Sequence, residues 1–192
     1  PPALLLQRAS GRPPAIHDAL TGLPGTAERA LAAIEQARRA GFIVTVNTTL
    51  YRDTPIDDVV TLYGRLAELG VNGLMVAPAF SYEVGVEAGT LTRDESHERF
   101  RALQKDWGDR GFYHTPLYME FLRGERELNC MPWGTVTYNP EGWKRPCYLL
   151  TDAHVDSLDE LLKGTDWDAY GPGRDPRCAH CMLHIGFEPS VM

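Results

Sequence analysis

The first cysteine of this 192-residue chain is Cys130, so the leading two thirds lack thiol chemistry of any kind. Also missing are the phosphate-cradling G-x-x-x-x-G-K-[ST] loop, the dinucleotide turn G-x-G-x-x-G, the zinc helix H-E-x-x-H and the nucleophile elbow G-x-S-x-G. Common nucleotide-hydrolysing, protease and esterase classes are thereby left without their working parts. Positive charge is scarce: 19 Lys and Arg stand against 26 Asp and Glu, a formal charge of −7, so the chain as a whole is not drawn to nucleic acid or anionic lipid. No apolar run approaches the roughly 18 residues of a membrane-spanning helix, and Leu4 to Leu6 is too short for a signal-peptide core. A cytoplasmic location is expected on that basis. What is present is ordinary for a folded chain, with 43% hydrophobic and 23% charged residues. A chain of this size can bury roughly 70% of its unfolded surface, so cysteines are not needed merely to hold a core.

The opening, Pro1-Pro2 without Met, continues through Gly11, Pro13, Pro14 and Gly22 to Gly25, and is expected to be an irregular leader over 1–25. From Thr26 the pattern turns periodic. Leu31, Ile34 and Ala37 recur at helical spacing, with Thr26 as the expected N-cap and Gly41 just past the end. Phe42 to Leu50 is nearly continuous and β-branched, the mark of a strand covered on both faces. Thr54 and Pro55 open a second helix whose stripe is Val59, Leu62, Tyr63, Leu66 and Leu69, and Val71 to Ala79 forms a second buried strand. The order helix-strand-helix-strand implies parallel crossovers and an α/β fold. Thr92-x-x-Glu95 is a capping box for a helix bearing Phe100, Leu103 and Trp107, a shorter helix is predicted over Pro116 to Leu122, and Ser157-x-x-Glu160 opens another. After about residue 125 the chain becomes rich in Gly, Pro and Trp. The expected organisation is a βα part over 26–125 and a cysteine-bearing, loop-rich module over 126–192.

All four cysteines, Cys130, Cys147, Cys178 and Cys181, fall in that module. Cys178-Ala-His-Cys181 is a C-x-x-C, whose turn can set two thiolates on one metal. A hairpin bending near Gly142 and Trp143 would carry Cys130 on its approach and Cys147 on its return. Three uses fit the pattern: buried structural thiols, a redox pair, and a four-thiolate metal site. The spacing leaves zinc and iron–sulfur clusters both open, with His180 and His184 as substitute ligands. Asn47 and Thr49 sit towards the C-terminal end of the first strand, where ligands of parallel sheets gather, and Asn47 is a polar break in an apolar run. Trp133, Trp143 and Trp167 could wall an apolar pocket, while His17, His114 and His154 show no partner spacing and suit surface or core roles. The acidic stretch Asp152 to Glu160 is expected to be a solvated helix entrance.

Three stretches carry a resemblance. ERALAAIEQARRAGFIVTVNTTLYRD from Glu28, GLMVAPAFSYE from Gly73, and the tail from Cys130 with WKRPCYLL, TDWDAYG and the closing C-x-x-C ahead of Gly186, Glu188 and Pro189 resemble the C-terminal part of radical SAM enzymes. More narrowly they are similar to the hopanoid-biosynthesis branch, the adenosyl-hopene transferases. The resemblance implies a partial TIM-type barrel with S-adenosylmethionine held on a [4Fe–4S] cluster and cleaved to a 5′-deoxyadenosyl radical, which adds to the alkene of hopene. It further implies an electron donor such as flavodoxin or ferredoxin, Asn47 and Thr49 at the cofactor rim with Tyr82 and Glu83 near it, and Cys130, Cys147, Cys178 and Cys181 as an auxiliary cluster or metal site. Contact with the inner membrane face, where an apolar triterpene would be met, belongs to the same expectation. The C-x-x-x-C-x-x-C loop that defines the superfamily is not in this sequence. The chain is therefore expected to be a truncated form, inactive alone and with an open sheet edge. The rival expectation is a non-catalytic α/β module whose tail holds a structural zinc and serves assembly.

Overall fold

In the computed structural model the described residues are 4–10, 17–18, 22–80, 89–134 and 136–191, with backbone alone for 4–10. The first half is a parallel sheet of three strands in sequential order: β1 (Leu4–Ser10), β2 (Ile43–Leu50) and β3 (Gly73–Pro78). Strand β1 falls where an irregular leader was expected. Its pairing with β2, Leu4 opposite Ile43 through Ser10 opposite Thr49, shows why the surrounding Gly and Pro misled: a short strand needs only a neighbour to hydrogen-bond. Helices α1 (Thr26–Arg39) and α2 (Ile56–Glu68) make the crossovers.

After β3 comes α3 (Arg93–Trp107), opened by the Thr92/Glu95 capping box as its sequence predicts. A single parallel bridge then sets Phe112 beside Leu74, with Leu74 N–H donating to Gly111 O and Tyr113 N–H to Leu74 O, both at 2.8 Å. The edge of β3 is thus partly covered. Helix α4 (Pro116–Leu122) follows, capped by Thr115. No closed barrel is formed among the described residues; the architecture is mixed α/β, with this parallel sheet and a small antiparallel one.

Two caps differ from their sequence expectation. Thr26 is the first helical residue of α1 and not its cap; the Asp18 carboxylate reaches across to accept Gly25 N–H, Ala27 N–H at 3.0 Å and the Thr26 hydroxyl at 2.7 Å. Those donors hold Asp18 down at a pKa of about 2. Thr54 is wholly buried and accepts Tyr51 N–H, shaping the loop before α2 and leaving Pro55 at the cap position. Side chains with several local donors within reach choose among them by loop geometry, which sequence spacing does not give.

Alternation along β2 sorts its faces. Val44, Val46 and Leu50 join Leu74 and Val76 of β3 in one core with Ile34, Val59, Tyr63, Leu66, Phe100 and Leu103 from the helices. Each fully buried Phe or Leu there contributes about 1.5–3 kcal/mol. The opposite parity, Thr45, Asn47 and Thr49 opposite Gly73, Met75 and Ala77, forms the other face. The same core continues through Tyr118, Phe121 and Leu122 to Met182 and Phe187, so the cysteine module packs on the sheet's helical layer.

That module contains an antiparallel sheet of β4 (Thr137–Asn139), β5 (Gly142–Pro146) and β6 (Thr151–Val155), then α5 (Leu158–Gly164) and a one-turn helix α6 (His184–Phe187). Gly142 turns the hairpin at φ 125°, with no room for a side chain because a Cβ would lie 2.8 Å from Val155 O. Pro146, without an N–H, ends β5 at a register shift and delivers Cys147 into the loop beyond. The helix predicted from Ser157-x-x-Glu160 forms, the Ser157 hydroxyl accepting Glu160 N–H at 3.1 Å.

Candidate metal centre in the cysteine module

The four cysteines come from three separated segments. Cys130 precedes a 3₁₀ turn at Pro132–Gly134, and its neighbour Met131 donates its N–H to Gly186 O at 2.6 Å. Gly186 lies so close that a Cβ there would stand 3.3 Å from the Cys130 sulfur. Cys147 follows β5. Cys178 ends the 3₁₀ turn Pro176–Cys178, and Cys181 N–H donates to Cys178 O at 3.1 Å, closing the C-x-x-C turn. All four are free thiols and partly buried.

The thiols act on one another's charge. Burial pushes Cys181 up to about 12, and the charges of Cys130, Cys178 and Cys147 all add to that push. Burial likewise raises Cys130 to about 12, reinforced by Cys178 and Cys147, and raises Cys178, reinforced by Cys147. Four thiolates cannot share such a place unless a cation pays the charge. Opposing the rise, backbone N–H groups are directed at sulfur, Gly171 at Cys178 and Leu183 at Cys181. Hydrogen bonds of that kind tune iron–sulfur clusters. Redox thiols need the reverse, a depressed pKa, and a C-x-x-C at a strand-to-helix turn; this one lies on a 3₁₀ turn.

Among the described residues no group of three or more His, Cys, Asp or Glu is close enough together to hold one metal ion. A tetrahedral zinc draws four sulfurs to about 2.3 Å from a single point. A cluster spreads its four cysteines over several irons.

Arg177 braces the C-x-x-C turn. Its guanidinium donates to Asp152 of β6 at 2.7 Å and to Asp175 at 2.6 Å, and Tyr170 donates its hydroxyl to Asp152 at 2.7 Å. Asp152 is thus part of a clamp, where a solvated helix entrance was expected. The clamp is partly exposed, so water screens it and Arg177→Ala is expected to cost only about 1 kcal/mol. The midpoint of urea unfolding checks this, and a change well beyond that size would mean the turn depends on more than the clamp.

Beneath the module lies a buried polar joint that motif searching does not find. Glu188 accepts Thr115 N–H at 2.5 Å and His114 Nδ1–H at 3.1 Å, and the network then leaves His114 Nε2 to accept Val76 N–H at 3.1 Å on β3. Tyr118 donates its hydroxyl to Met182 O at 2.5 Å and lies against His114, with ring centroids 4.9 Å apart. His114 is therefore a satisfied core residue, one of the two roles its sequence suggested. The only sequence hint of the joint is Glu188 behind the C-x-x-C, since its partners are more than 70 residues away.

The remaining expectations divide. Asn47 and Thr49 are half-buried on the sheet face turned from the helical core. Tyr82 and Glu83 lie outside the described residues. His180 is exposed, and His184 packs on His114 at 5.4 Å, its pKa lowered by burial. Trp133 and Trp167 meet edge to face at 6.0 Å, whereas Trp143 pairs with Tyr138 on the hairpin. The three tryptophans thus do not make one wall. No helix among the described residues is long and apolar enough to cross a membrane.

Fold and site together define an α/β chain whose short parallel sheet carries a cysteine-bearing C-terminal module. Residues 74–192 match the family described as a domain of unknown function, DUF3463, and the chain belongs to that family. It is also similar to the PqqA peptide cyclase of Gluconobacter oxydans (strain 621H), at 26% identity over 172 residues, covering 76% of this chain and 47% of that protein. The chain thus spans about half the length of this curated relative.

Proposed function

We propose that this chain forms the C-terminal part of a radical SAM enzyme and that Cys130, Cys147, Cys178 and Cys181 hold an iron–sulfur cluster. The observation that carries the proposal is that four partly buried free thiols from three segments of the C-terminal region act on one another's charge. Resemblance of the tail to radical SAM enzymes and similarity to the peptide cyclase support it. When bound, the cluster and S-adenosylmethionine supply one-electron chemistry. The chain's own residues have simpler tasks. The cysteines supply ligands, the N–H groups of Gly171 and Leu183 stabilise sulfur charge, and Arg177 holds the turn. Asn47 and Thr49 offer polar groups at the C-terminal end of β2, where a cofactor would sit across a sequential parallel sheet of the kind that a partial barrel contains. A donor of the flavodoxin or ferredoxin kind would deliver the electron.

The finer assignment is transfer of the adenosyl group to hopene, supported by WKRPCYLL and TDWDAYG. A second assignment, action on a peptide, is favoured by the similarity to the PqqA peptide cyclase. The decisive first experiment is anaerobic reconstitution of the chain with iron and sulfide. About four irons per chain and absorption near 400 nm, roughly as thiolate-bound clusters give, are expected, both lost in the Cys178→Ala, Cys181→Ala variant. Stoichiometric zinc without redox activity would instead establish the rival structural module, and no metal at all would remove the site. Full-length protein given hopene or a peptide then separates the two substrates by which one is modified.

A further inference from the structure

Alternate residues of a strand direct their backbone N–H and C=O to the same side, so Leu74 and Val76 of β3 ask for partners along one edge. At Leu74 a neighbouring backbone answers: Gly111 O accepts the N–H and Tyr113 N–H is donated to the C=O, both at 2.8 Å. At Val76 a side chain takes that place. His114 Nε2 lies 3.1 Å from Val76 N and 3.1 Å from Val76 O. One nitrogen thus faces a donor and an acceptor of the same residue and can serve only one of them at a time. Its lone pair accepts the N–H when the imidazole is neutral; once it carries a proton it donates to the C=O.

The other ring nitrogen keeps its partner throughout. Nδ1–H donates to Glu188 at 3.1 Å, and a bare Nδ1 would set a lone pair against a carboxylate. Burial ordinarily keeps a proton off an enclosed imidazole, and the Glu188 charge, itself held by Thr115 N–H, offsets that cost. The side chain of Glu188 is 14% exposed against 1% for His114, so the carboxylate is where the pair meets water.

Two further titratable groups stand against the ring. Tyr118 of α4, at 4.9 Å between centroids, has its hydroxyl committed to Met182 O, and burial, then the charges of Glu188 and Cys181, hold its pKa well above the ordinary value. His184 of α6, at 5.4 Å, has its pKa lowered by burial and then by His114, so the two imidazoles do not both charge. Strand β3 itself, Gly73–Pro78, brings no charged side chain.

We propose that His114 is a proton switch at the seam between the sheet and the cysteine module: neutral, it holds Val76 N–H, and on taking a proton from water at Nε2 it releases that N–H and donates to Val76 O, with Glu188 ionised and the module docked in both states. The proposal does not rest on the cysteines holding a cluster.

The full chain, labelled with ¹⁵N, is followed by NMR from about pH 8 to about pH 5.5, where histidine ordinarily changes charge. At the upper end Nδ1 should carry a proton and Nε2 none. Towards the lower end Nε2 should gain one, and exchange of the Val76 amide, corrected for its intrinsic dependence on pH, should quicken about tenfold or more. Signals of Leu122 and Phe187 in the shared core should hold still. An Nε2 that stays bare, a Val76 amide whose protection does not follow the ring, or core signals lost as the ring charges would each overturn the proposal. Glu188→Gln keeps an acceptor for both donors and removes the charge, and is expected to weaken proton binding at His114 about tenfold; unchanged proton affinity would also overturn it. If that variant does not fold, the unmodified chain decides by itself.

Discussion

Glu188→Ala is expected to destabilise the protein by about 3–4 kcal/mol. The carboxylate is the acceptor for two donors, Thr115 N–H at 2.5 Å and His114 Nδ1–H at 3.1 Å, and His114 is buried to within 6% of full enclosure. Removing it leaves both donors without a partner where water does not reach easily, at about 1–3 kcal/mol each. It also frees the imidazole that completes β3 at Val76. Against a total stability of about 5–15 kcal/mol this is a large share.

A pH dependence follows from the same joint. Burial pushes Glu188 up, but the hydrogen bonds from His114 and Thr115 outweigh burial and leave its pKa below the ordinary 4.5. A carboxyl depressed by folding contributes stability that is full above its ordinary value and is lost as pH falls through the depressed one. Urea unfolding between pH 7 and the acid limb should therefore show a loss of stability below pH 4.5 that is shallower in Glu188→Ala. Parallel profiles, or a cost at neutral pH under about 1 kcal/mol, would show that the joint does not carry this load.

The second large effect is expected at Gly186. Alanine there would place its Cβ 3.3 Å from the Cys130 sulfur, a crowding that a few tenths of an ångström relieves. Valine adds two more methyls on the thiol side of a one-turn helix tied to Met131 by a 2.6 Å hydrogen bond, so neither segment can withdraw alone. Gly186→Val should lose most of the iron taken up on reconstitution, approaching Cys130→Ala, while Gly186→Ala retains a substantial part. Circular dichroism of the metal-free proteins separates loss of the site from loss of the fold. Normal iron content in Gly186→Val would mean that Cys130 is not a ligand.

Much of the architecture was legible because it is written over short distances. The helical spacing of Val59, Tyr63 and Leu66, the β-branched run into Leu50 and the Thr92/Glu95 box each concern atoms a few residues apart, and all appear in the fold. That all four cysteines fall after residue 129 is a fact of the sequence itself, and it says nothing of how near their sulfurs come. Strand β1 was hidden, because its evidence is a neighbour more than 30 residues away and not its own composition. Asp18 escaped notice as the cap of α1 for a related reason: it lies outside the window in which caps are sought.

By itself, then, the sequence determined the α/β order, most helix limits and which residues are chemically able to bind metal, since propensity, capping and side-chain chemistry act locally. Only the tertiary structure decided which of them meet. It brought Cys130 against Gly186, turned Glu188 onto His114 and Thr115, and set the His114 imidazole against Val76. Those encounters follow from burying one continuous core, in which each side chain's partner is set by the packing of distant segments.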